Sequence, residues 1–310
     1  MKESFPVDRI VAPSEERREQ IRQRTLASFL EQTDAQLVEG EREKTAEEHA
    51  VIAMANEAID GLRARYGLEP FKVPERNFHV IRAKDWKHKD TRGMFEPQLQ
   101  GAIVKERPSL IALAATVFHE MTHFKSYTSL EDVGKGVAER RLGLVVGIGP
   151  SRNPRFTEFN EAITEEIAVE ALKSRLGEPL FRQDVEEHAR TRRSLEHVTN
   201  DDGEPLVPDD ALWSRVVAGE GDAFEVENER PAYARERRIT NVLIDKLHER
   251  NRGMFADRQD VFDLFAKAMF TGQLLTISRL VEKTFGTGTL RKFAELEGDS
   301  DSLEPFIRSL

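Results

Sequence analysis

Cysteine is absent from the 310 residues. Disulfides, thiolate nucleophiles and cysteine-ligated metals are excluded together, so any metal must be held by His, Asp or Glu. An excess of positive charge is missing too: 46 Lys and Arg stand against 56 Asp and Glu, a formal net charge of −10. Proteins that gain affinity by neutralising phosphates carry the opposite balance, so no nucleic-acid partner is expected. Long hydrophobic runs are lacking. The most apolar stretches, Leu110 to Phe118 and Leu142 to Gly149, fall far short of the roughly 20 residues that span a bilayer, and no membrane partner is expected. Met1 to Asp8 carry acid and proline where a secretory signal needs an apolar core of about 7–15 residues, which reads as a cytoplasmic protein. Neither an internal repeat nor a low-complexity segment occurs.

What is present is a charged, helical pattern, with 39% hydrophobic and 33% charged residues. Ser14 followed by Glu15 and Glu16 starts a helix expected to run to about Val38. Its apolar residues, Ile21, Leu26, Phe29, Leu30, Leu37 and Val38, are sparse, so residues 1–44 read as a helical arm lying on a larger domain, 45–310. Thr45-Ala-Glu-Glu48 fits a capping box, and Val51, Met54, Ala55, Ala58, Ile59 and Leu62 recur at helical spacing.

Phe78–Ile81 reads as a strand, Gly93 to Pro97 as a turn, and Gly101–Lys105 as a second strand. Pro108-Ser109 opens an apolar helix from Leu110 to about Tyr127, and a hairpin is expected over 137–148. Gly147-Ile-Gly149 has the start of a phosphate loop without its third glycine, and a hairpin turn is the better reading. Helices are expected at about 157–176, 231–250, 257–271 and 273–285, with helices and exposed loops over 180–230.

The informative residues are His119-Glu120-Met121-Thr122-His123, an H-E-x-x-H on a predicted helix. At about 100° per residue, His119 and His123 lie one turn apart on one face, where two imidazoles can meet one ion. Glu120 is turned aside from them, placed to act as general base on a water whose pKa the metal lowers toward about 7. With 8 His and 38 Glu, chance supplies on the order of 0.03 copies of this pattern per chain. The rival is a pair of ordinary helix-surface histidines with a solvated glutamate. A third ligand must come from elsewhere. In Asn160-Glu161-Ala-Ile-Thr164-Glu165, Glu161 and Glu165 share a helix face, so one can ligate while the other orients an imidazole.

H-E-x-x-H followed by Asn-Glu-x-x-Thr-acid resembles the gluzincin, or thermolysin-like, zinc peptidases. The order of elements agrees over about residues 45–175. The resemblance implies an α+β, predominantly helical fold: a small zincin-like sheet with the active-site helix (45–128), then hairpin, glutamate helix and helical C-terminal lobe (129–310). It implies Zn2+ held by His119, His123 and Glu161, with Glu120 as base and Glu165 as partner of His119. Two departures stand out: 37 residues separate His123 from Glu161, longer than usual, and Glu replaces Asp at position 165.

The family also places a Tyr or His opposite the water; Tyr233 is the first choice here, with His188 and His197 as others and a packing tyrosine as the rival reading. His79 and His248 read as surface or core residues. The implied substrate is an extended polypeptide, paired to the strand at 101–105 if that strand forms a sheet edge. The stripe Val261, Phe262, Leu264, Phe265, Ala268 and Met269 reads as core, and the acidic run Glu220, Asp222, Glu225, Glu227 and Glu229 as a solvated loop. The expected function is therefore peptide hydrolysis. The alternatives are a non-catalytic interaction protein with a vestigial or structural metal site, or a zinc hydrolase acting on a non-peptide amide or ester.

Overall fold

Ser14 starts the first helix as its sequence predicts: its Oγ accepts the Arg17 amide at 3.2 Å, and α1 runs Glu15–Glu31. A computed structural model describes residues 6–31, 39–89, 91–147, 153–200, 202–219 and 224–310. The expected extension of α1 through Leu37 and Val38, most of the Gly147–Gly149 turn, and Glu220 and Asp222 lie outside these residues. Ile21 and Phe29 are buried, while Leu30 faces solvent. The N-terminal segment is more than a helical arm, because β1 (Arg9–Val11) pairs in parallel with β5 (Thr128–Asp132).

Thr45 and Glu48 form the expected capping box on α2 (Ala46–Arg65), each side chain accepting the other's amide. Three strands follow: β2 (Phe78–Ile81), β3 (Gly93–Glu96) and β4 (Gly101–Lys105). Their order is β2-β4-β3, with β2 parallel and β3 antiparallel to β4. Two expectations are corrected here. Residues 93–96 are a strand rather than a turn, because Pro97 falls just past the ladder where no donor is required and Phe95 is buried against Phe124, ring centroids 4.5 Å apart. Residues 101–105 are then the central strand, with β2 and β3 at the two edges; the outer side of β2 carries a short bridge to Glu41, and β3 pairs with no further strand among the described residues.

The apolar helix α3 (Leu110–Phe124) is capped by Ser109, whose Oγ accepts the Ala112 amide at 3.0 Å, and by Asp184, which accepts the Ile111 amide at 2.8 Å. It packs between α2 and α4 (Thr157–Lys173). Between α3 and α4, β6 (Val137–Leu142) pairs with β5 and β7 (Val145–Val146), giving a second sheet ordered β1-β5-β6-β7. Burying Phe118, Met121 and Phe124 of α3 contributes about 1.5–3 kcal/mol each.

Beyond α5 (Arg182–Ser194) the chain departs from the expected helices and loops. β8 (Trp213–Ala218) and β9 (Phe224–Glu229) form an antiparallel hairpin. Its faces carry paired polar side chains, such as Arg215 with Glu227 at 2.8 Å and Ser214 with Asn228 at 2.6 Å, so its alternation is charged rather than apolar. Glu225, Glu227 and Glu229 are thus strand residues rather than a solvated loop.

The C-terminal lobe holds α6 (Ala234–Arg250), α7 (Arg258–Thr271) and α8 (Leu274–Phe285), near their expected bounds, then α9 (Thr289–Leu296) and α10 (Ser300–Ser309). The α7 stripe joins the main core as predicted. Among the described residues helix outweighs strand, 53% against 16%, which makes the protein α+β and predominantly helical. No helix among the described residues is long and apolar enough to cross a membrane.

Candidate metal centre

Helices α3 and α4 bring His119, His123 and Glu161 to one point. His119 Nε2 lies 3.2 Å and His123 Nε2 3.1 Å from Glu161 Oε2, and the two imidazole nitrogens are 3.1 Å apart. The three atoms form a nearly equilateral triangle, the one group of metal-capable side chains among the described residues. A tetrahedral ion with ligands at about 2.0–2.1 Å spaces its donors about 3.3–3.4 Å apart, close to what these residues present.

Glu165 decides what faces that triangle. Its Oε2 lies 2.7 Å from His119 Nδ1, and its Oε1 accepts the Ala232 amide at 2.7 Å. A carboxylate accepts, so His119 donates from Nδ1 and turns the lone pair of Nε2 toward Glu161. Two acceptors 3.2 Å apart repel unless a cation sits between them, so the donor set fits a metal ion. Burial works against charge on His119, yet Glu161 and Glu165 outweigh it and push the imidazole well above its usual range. A proton therefore competes with a metal for the same position. Burial likewise opposes ionisation of Glu165, but its bond to His119 holds it below the ordinary carboxylate range.

Glu120 lies beside the triangle, buried and making no ion pair among the described residues. Burial raises its carboxyl above the usual value, against the pull of His119 and His123. Gly93, at the start of the edge strand, packs on it: a Cβ there would stand 2.6 Å from Glu120 Oε1 and 2.6 Å from Thr116 Cγ2. Nothing in the sequence sets this glycine apart, since it reads there as turn punctuation.

Tyr233 stands at the head of α6 with its ring stacked on His119, centroids 5.7 Å apart and planes 18° apart. Its backbone is left-handed, φ 54° and ψ 39°, a conformation that costs a non-glycine residue about 1–3 kcal/mol. Burial, then the charges of Glu161 and Glu120, raise its hydroxyl pKa. His188 and His197 do not reach the cavity. It has a volume of about 290 Å3 and is lined by residues that include Arg92, Gly93, His119, Glu120, Glu229 and Tyr233. His79 is a buried strand residue bonded to Glu41 at 3.0 Å, and His248 lies on α6, as expected of core and surface residues.

Asn160, just ahead of Glu161, is fully buried and accepts the Leu144 amide at 2.9 Å, tying the β6–β7 turn to α4. It supports the helix and does not enter the site. Against this geometry, no family profile, curated protein or solved structure matches the chain.

Proposed function

We propose that the chain is a zinc-dependent peptidase of the gluzincin type, with a zincin-like arrangement of sheet and active helix, acting on extended polypeptide in the cytoplasm. The observation that carries this reading is the triangle of His119 Nε2, His123 Nε2 and Glu161 Oε2, its tautomer set by Glu165 and a buried carboxyl, Glu120, beside it. Two imidazoles and one carboxylate form a ligand set used by catalytic zinc, which when bound polarises a carbonyl and lowers the pKa of a water.

The chain's own residues supply the rest. Glu120 takes a proton from the attacking water and returns it to the leaving amine, and its burial strengthens it as a base near neutral pH. Tyr233 keeps its proton and can donate it in a hydrogen bond to the oxygen on which charge develops. The outer edge of β3, unpaired with any other strand among the described residues, offers backbone N–H and C=O groups to an extended peptide. Substrate pairing is thus assigned to β3 in place of residues 101–105.

Metal analysis and peptide cleavage test this together. The purified protein should carry about one zinc per chain, lost in His123→Ala, and Glu120→Gln should keep zinc while losing cleavage. Full activity in Glu120→Gln removes the mechanism. Zinc binding with no hydrolysis of peptides, amides or esters by the wild type favours the non-catalytic alternative.

A further inference from the structure

Beside the metal triangle the cavity wall carries charge that the proposed reaction does not use. Glu229, at the end of β9, is 2% exposed and is held by two guanidinium groups, those of Arg92 and Arg107. Two guanidinium groups thus share this one carboxylate, with Glu165 near enough for its charge to act on Glu229 as well. Arg107 is the buried member, 15% exposed; Arg92 is 43% exposed and lines the cavity next to Gly93.

The placement of Arg92 is built rather than incidental. Its carbonyl accepts the Lys105 amide at 2.8 Å, which extends the β3–β4 ladder by one bond. Among the described residues its side chain bonds Glu229 and the Arg230 carbonyl, both through Nη1. Nε and Nη2 have no hydrogen-bond partner among the described residues, so a planar pair of donors remains for a ligand. A guanidinium fork of this kind matches a carboxylate in two-point geometry. Glu229, the last residue of the β8–β9 hairpin, therefore holds the guanidinium of a residue that lines the cavity.

We infer that Arg92 binds a carboxylate of the substrate, so that the cavity selects peptides carrying an Asp or Glu side chain or a free C-terminus close to the scissile bond. This rests on the reading of the cavity as a peptide cleft and adds the substrate class. The acidic chain as a whole would repel such ligands, and Arg92 supplies local attraction where the chemistry occurs.

The test separates binding from cleavage. Zinc-loaded Glu120→Gln protein is titrated with fluorescent octapeptides of alanine, each amidated and carrying one Glu or one Gln at successive positions. A parallel set has a free C-terminus. With Arg92 in place, the acidic member should bind about tenfold tighter than its amide match at one or two positions, or the free acid tighter than the amide; which set responds identifies the source of the carboxylate. In Arg92→Gln the ratio should fall to about one at equal zinc content. Arg92→Lys, which keeps the charge and loses the fork, should fall between and serves if the glutamine variant does not fold. An acid preference that is missing, or that survives both substitutions, overturns the inference. Arg92-dependent binding without cleavage of the same peptides by the wild type leaves it standing and removes the peptidase reading instead.

Discussion

Gly93 and Glu120 occupy each other's space: a single methyl on the glycine would lie 2.6 Å from Glu120 Oε1. The edge strand and the active helix are thus in contact at the one carboxyl proposed to move protons.

Gly93→Ala should therefore displace Glu120 without touching the metal ligands. A shift of about 1 Å in a reacting group costs on the order of 100-fold in rate, so kcat should fall by about that factor while zinc stoichiometry stays at that of the wild type. Steady-state kinetics with metal analysis on the same preparation checks this; unchanged kcat would mean that the carboxyl position is not limiting.

Glu165→Gln should weaken zinc. The amide can still accept from Ala232, but its NH2 group cannot accept from His119 Nδ1, so the imidazole is driven toward the wrong tautomer. Removing a carboxylate that orients a metal-bound histidine costs about 10–100-fold in affinity. Competition with a chromophoric chelator measures it, and equal affinity in the variant would contradict the role assigned to Glu165.

Tyr233→Phe should keep the ring stack on His119 and remove the donor. If the hydroxyl stabilises developing charge, kcat should drop by about 10²–10³ with little change in KM or zinc content. A loss confined to thermal stability would assign the tyrosine to packing.

Glu297 should make stability fall with rising pH. It accepts the amides of Phe156 and Phe159 at the start of α4, where no N-cap side chain does so. Burial raises its pKa above 4.5 in spite of those bonds. The folded protein then holds a proton that the unfolded chain has released, so the stabilisation is complete below about pH 4.5 and is lost as pH climbs through the higher folded value. Urea unfolding of wild type and Glu297→Gln between pH 4.5 and 7.5 should show the difference in stability shifting toward the variant as pH rises. A constant difference would rule out this titration.

The helix carrying His119 and His123 is legible because its information is local. Two histidines four apart, a serine cap and an apolar run specify both a helix and a face, and Glu161 and Glu165 follow the same rule on α4. The edge strand is not, since Gly93 and Pro97 signal a turn and only the burial of Phe95 against Phe124 makes a strand of the residues between them. Glu229 is hidden for a related reason: within an acidic run one carboxylate looks like the next, and only its meeting with Arg92 and Arg107, 137 and 122 residues away along the chain, sets it apart. Tyr233 could be named from its place at a helix head, but its stacking on His119 depends on the left-handed backbone that no spacing announces.

The side of β3 that pairs with no other strand among the described residues also has a cost in self-association. An unpaired strand edge is a template for any extended chain, including another copy of this protein, and edges of that kind favour aggregation when they are long and apolar. This one is four residues long, begins beside an arginine, ends in Glu96 and is closed by Pro97. Those features give a growing sheet too little ladder to propagate, while leaving room for the transient peptide proposed to pair there.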